Sequence, residues 1–92
     1  MIAFLLHPEE GASPIEPGNG ENFTLPEVRS YVGGFVAVTS LQDGFVLLCN
    51  EDAAFNPEGN PPNPHANLAA GSLGFKGAQF LGTVVICHHG LF

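Results

Sequence analysis

The chain has 92 residues, with 9 acidic side chains against 2 basic ones, Arg29 and Lys76, and a formal net charge of −7. An apolar share of 45% suffices for a packed core, and a charged share of 12% excludes a solvated, charge-rich disordered chain. The shortage of Lys and Arg excludes ordinary binding to DNA or RNA polymers. Nine carboxylates are too sparse for a nucleic-acid mimic, and no apolar run reaches the roughly 18 residues of a bilayer span.

A single small domain over residues 1–92 is therefore expected. Such a domain buries only about 60–65% of its unfolded surface, so its stability margin is narrow and homo-oligomerisation is a natural supplement. In chain order, residues 2–6 form a short apolar run that suits a buried strand. The run lacks a basic flank and stops at Pro8, so it reads as a strand rather than a secretory signal. Residues 7–23 carry Pro8, Gly11, Pro14, Pro17, Gly18 and Gly20 and read as a loop, with 8–23 mobile and with little reason to bury itself.

Thr24-Leu25-Pro26-Glu27 opens a helix. Thr24 is the N-cap, Pro26 fits the first turn, and Glu27 stands three residues on, as in a capping box. Gly33-Gly34 ends the helix after barely two turns. Residues 35–41 and 45–49 read as a hairpin around Gln42-Asp43-Gly44, because Asp-Gly supplies the left-handed turn conformations. After the Pro/Asn/Gly loop 56–64, Asn63 caps a second short helix that Pro64 begins and Gly71 ends. A glycine-rich connector follows, and residues 79–88 close the chain as a strand that Gly82 can bend. The fold class is α+β, with a small antiparallel or mixed sheet of about four strands and two short helices.

Several residue groups are candidates for chemistry. Cys87 and His89, two apart on a strand, would share a face and could chelate zinc, although no further ligand pattern accompanies them. The pair Glu51-Asp52, with His65 downstream, has the residue types of acid–base catalysis, but no nucleophile signature marks an active site. Gly71, Gly74 and Gly77 around Lys76 could offer backbone N–H groups to a phosphate, without the Gly-Lys-Ser/Thr of a Walker loop. Arg29, the only guanidinium, suits bidentate recognition of phosphate or carboxylate. Both thiols, Cys49 and Cys87, sit among apolar neighbours and read as buried and reduced, with a single bridge left open. No metal, cofactor or catalytic residue is expected from these patterns.

The segments Tyr31-Val32-Gly33-Gly34-Phe35-Val36, Leu41, Asp43-Gly44, Cys49-Asn50-Glu51-Asp52 and Asn63-Pro64-His65-Ala66 follow one another in an order that resembles a family of small bacteriophage and plasmid proteins. That family is known only as a domain of unknown function. The resemblance covers roughly residues 25–88. It implies a bacterial host cytoplasm, no assigned reaction and a place among small non-catalytic phage domains, many of which counter host defences. The function expected on that analogy is sequestration of a small anionic ligand at a subunit interface. A nucleotide immune signal, such as a cyclic ADP-ribose isomer or a cyclic dinucleotide, is the expected ligand. Arg29 and Lys76 would hold phosphate, Asn50 and Glu51 would meet sugar hydroxyls or a base edge, and Tyr31 or Phe35 would stack. The alternative is an acidic module that inhibits a basic host defence or restriction protein.

Overall fold

A computed structural model describes residues 3–77 and 79–92. Seven regular elements follow in order: β1 (Ala3–His7), β2 (Gly11–Pro14), α1 (Leu25–Val32), β3 (Val36–Ser40), β4 (Phe45–Asn50), α2 (Pro64–Ser72) and β5 (Val84–His88). They make one five-stranded sheet in the order β2-β1-β5-β4-β3, antiparallel at every pairing. The α+β class with two helices holds, and the strand count is five rather than four.

The extra strand comes from the segment expected to be loop. Gly11–Pro14 folds back on β1, with Leu6 opposite Ala12 and Phe4 opposite Pro14. The rest of the segment is tied down by its own side chains. Asn19 Oδ1 accepts from the N–H groups of Glu21 and Asn22 at 2.8 and 2.9 Å, and Phe23, 2% exposed, enters the core. Composition hid this because the signals are two isolated apolar residues, Ile15 and Phe23, among turn formers.

The central strands are apolar at consecutive positions because a helix covers each sheet face. Alternation along β4 and β5 sends Val46, Leu48, Val85 and Cys87 to the face under α1, where Val28 and Val32 meet them. The neighbouring residues Leu47, Val84 and Ile86 face α2 and its Ala66 and Ala70. Leu47 is fully buried, and such a side chain contributes about 1.5–3 kcal/mol by leaving water.

Local chemistry sets where each helix starts and stops. Thr24 Oγ1 accepts from the Glu27 N–H at 3.4 Å, but the Glu27 carboxylate does not complete a capping box. It accepts instead from the Gly18 N–H at 3.0 and 3.2 Å, which fastens the preceding loop to α1. The helix ends at Gly33, at φ 83° and ψ 18°, whose N–H donates to the Arg29 carbonyl at 2.8 Å. Left-handed geometry there costs a side-chain-bearing residue about 1–2 kcal/mol, which explains the glycine.

Residues 79–83, expected in the last strand, lie outside β5. Within that stretch Leu81 makes one isolated bridge with Pro62, and Asn63 determines the path. Its side chain is fully buried. Its Oδ1 caps α2 by accepting from the Ala66 N–H at 3.0 Å, while its Nδ2 donates to the carbonyls of Leu6 and Gly82 at 2.9 and 2.8 Å. One amide thus joins the end of β1, the approach to β5 and the start of α2. Residue 2 of the expected first strand lies outside the described residues.

Candidate functional site

The end of α1 and the adjoining ends of β3 and β4 bring four of the six expected binding residues, Arg29, Phe35, Asn50 and Glu51, to one corner. The left-handed cap at Gly33 turns the chain so that Phe35 enters the sheet beside the helix it has just left. Arg29 then places its guanidinium carbon 5.0 Å from the centroid of the Phe35 ring. The ring is 60% exposed, so it shields the cation without burying it. Among the described residues the one ion pair is His7 with Glu10 at 3.8 Å. Arg29 therefore carries its charge at this corner without a carboxylate partner.

Asn50 and Glu51 adjoin the same corner through β4. The Glu51 N–H donates to the Phe35 carbonyl at 2.7 Å, and the Glu51 side chain is exposed. Asn50 is engaged within the fold: its Nδ2 donates to the Val32 carbonyl at 3.4 Å and its Oδ1 accepts from the Asp52 N–H at 2.8 Å. It positions the corner, and this satisfies an otherwise orphaned carbonyl in the last turn of α1. Tyr31 packs partly against the core beneath α1. Phe35 is accordingly the ring left open for stacking.

Lys76 is placed elsewhere, and the glycine cradle around it does not form. The N–H groups of Leu73, Gly74 and Phe75 all turn back to carbonyls of α2, donating to Ala70, Gly71 and Ala70 at 3.0, 3.2 and 3.0 Å. They close the helix C-terminus, whose partial negative charge repels an anion and favours a lysine. Phe75, next to Lys76, packs on the α2 face of the sheet, the face opposite α1. The two cations do not converge.

The other candidates separate as well. β5 ends at His88, and His89 begins a short helical turn, so Cys87 and His89 lack the same-face geometry of a strand. Among the described residues no three His, Cys, Asp or Glu side chains gather as a metal site. Glu51 and Asp52 follow β4, whereas His65 lies against Gly11 of β2, across β5 and β1 in the sheet. Cys49 packs on the α2 face and Cys87 on the α1 face, and both are free. Burial pushes the Cys87 thiol up to about 11 and raises that of Cys49, which disfavours either as a thiolate nucleophile.

One feature escaped sequence reasoning. An apolar cleft of about 390 Å³ opens on the α2 side, between Phe4, Leu6, Phe45 and Ile86 of the sheet, Ala69 of the helix and Leu73 just past its end. It exists because α2, nine residues long, is too short to cover that face. Ser72, also at its wall, donates its hydroxyl to the Leu68 carbonyl at 3.0 Å, so the cleft presents no charge to a ligand. The signal was present in the alternating Phe4 and Leu6, but only the placement of α2 shows which residues stay uncovered. Compared with family models, with curated proteins and with solved structures, the chain matches none.

Proposed function

We propose that the protein is a non-catalytic binding protein whose ligand is a small anion bearing a flat ring, a nucleotide, held at the corner formed by Arg29, Phe35 and Glu51. The observation that carries this reading is the Arg29 guanidinium standing over the exposed Phe35 ring with no carboxylate partner. A phosphate takes the guanidinium edge through paired N–H donors. A base stacks on Phe35, and Glu51 accepts from ribose hydroxyls. Lys76 takes no part. In the bacterial setting that the family resemblance implies, the outcome is sequestration of a nucleotide immune signal by a homo-oligomer.

Calorimetry against cyclic dinucleotides and cyclic ADP-ribose isomers tests the reading. One of them binds, and Arg29→Ala and Phe35→Ala each weaken it by about tenfold, or about 1.4 kcal/mol. Absence of binding across the panel, or unchanged affinity in both variants, overturns it. The apolar cleft favours a second reading, a hydrophobic ligand of acyl or aromatic type, since its volume and lining suit burial of such a group. Binding of a medium-chain fatty acid that Leu73→Asp abolishes and Arg29→Ala leaves intact would favour that reading instead.

A further inference from the structure

The two edges of the sheet are built differently. The β2 edge has four residues, ends at Pro14 and is flanked by exposed Glu9, Glu10 and Glu16. Short length, proline and charge are the usual protections against edge-to-edge pairing. The β3 edge, Val-Ala-Val-Thr-Ser, is one residue longer and has no proline. It carries no charged residue in a chain of net charge −7, and Val38 is 52% exposed on it.

The direction of its free backbone groups follows from two hydrogen bonds. The Leu41 N–H donates to the Phe45 carbonyl at 2.8 Å, and the Phe35 carbonyl accepts from the Glu51 N–H at 2.7 Å. Antiparallel ladders alternate bonded and non-bonded pairs. With Val36 opposite Asn50 and Val38 opposite Leu48, the residues bonded to β4 are therefore Phe35, Ala37, Thr39 and Leu41. Val36, Val38 and Ser40 turn their N–H and C=O groups outward, where no strand of the sheet lies.

We infer that β3 is a dimerisation strand, pairing antiparallel with β3 of a second copy about a two-fold axis at Val38. The outward set is self-complementary in that arrangement. Val38 faces Val38 of the second copy, and Val36 faces its Ser40, so each of these facing pairs exchanges two N–H···O=C bonds. Elsewhere the net negative charge of two copies opposes approach, and the uncharged strand is where they meet at least electrostatic cost. The same register carries the second copy's turn at Asp43 towards the corner where Arg29 lies over Phe35. The pairing thus gives an open corner a wall from the second copy. This deepens the homo-oligomeric part of the function proposed above and rests on it, but the strand pairing needs no ligand.

Light scattering on the full chain, together with amide exchange, tests the inference. The expected mass of the wild type is about 19 kDa, twice the 9.6 kDa of one chain. In concentrated samples the Val36, Val38 and Ser40 amides are as protected as those of Ala37 and Thr39, and dilution removes that protection. Val38→Pro deletes an outward N–H that β4 does not use, so the mass halves while the far-UV circular dichroism is kept. Val38→Lys, which sets two like charges opposite each other, serves if the proline variant fails to fold. A wild-type mass of one chain overturns the inference. So does a dimer whose Val36, Val38 and Ser40 amides exchange freely, or one that survives a folded Val38 variant. All of these readouts are taken without nucleotide, so their failure is distinct from a failed calorimetric titration.

Discussion

Asn63 offers the sharpest test of how the fold is held. Replacing it with alanine removes three hydrogen bonds from a fully buried site. Loss of an N-cap costs about 1 kcal/mol. The carbonyls of Leu6 and Gly82 each lose a donor, at about 1–3 kcal/mol apiece where no water replaces it. Together the loss is about 3–7 kcal/mol, against a total stability of roughly 5–15 kcal/mol for a domain of this kind. In a domain this size that lowers the unfolding midpoint by about 12–56 °C.

Asn63→Asp separates the roles. It keeps the acceptor that caps α2 but sets a carboxylate against two carbonyl oxygens. Burial and that repulsion raise its pKa in the folded state above the unfolded value of about 3.9. A raised acid is stabilising when protonated and loses that contribution as pH rises through its folded pKa. Urea titrations of both variants at pH 4 and pH 8 should therefore show Asn63→Asp gaining on Asn63→Ala as pH falls. An Asn63→Ala cost below about 1 kcal/mol, or a pH trend of opposite sign, would refute the reasoning.

Burial decides two other outcomes. Phe23→Ala should cost about 3–5 kcal/mol and open residues 8–23 to limited proteolysis, because the buried ring and the N–H bond to the Leu91 carbonyl at 2.6 Å anchor that segment. Retained protease resistance would show that the β2 pairing suffices alone. Cys87, its pKa raised to about 11 by burial, should resist alkylation at neutral pH until urea unfolds the chain. Since the protonated thiol is the form the fold favours, stability should also decline as pH rises from 9 towards 11; rapid native labelling in mass spectra would contradict this.

Much of the fold was legible because local rules agree with tertiary demands. The hairpin around Asp43 and Gly44 shows it, as both residues adopt the positive φ that Asp-Gly tolerates, 59° and 79°. The starts of α1 and α2 were readable from Thr24 and Asn63 for the same reason, since a cap is decided by a residue and its neighbours three positions on. β2 was not, because Gly11–Pro14 is a poor strand by propensity and forms only where β1 offers it partners. The candidate site divided likewise. Arg29 and Phe35 meet because one short turn joins α1 to β3, whereas the glycines around Lys76 gave no hint that their N–H groups would close α2.

Length and charge by themselves determined that the chain is small and acidic, with few cations to set against a polyanion. Nine acids against two bases also left few cations to consider for a small anion. Tertiary structure alone decided that those two cations sit apart, that α2 leaves an apolar cleft beside it, and that β3 presents an uncharged edge. Each depends on which strand lies beside which and on how far a helix reaches across the sheet. Such long-range facts follow from packing, and no local pattern encodes them.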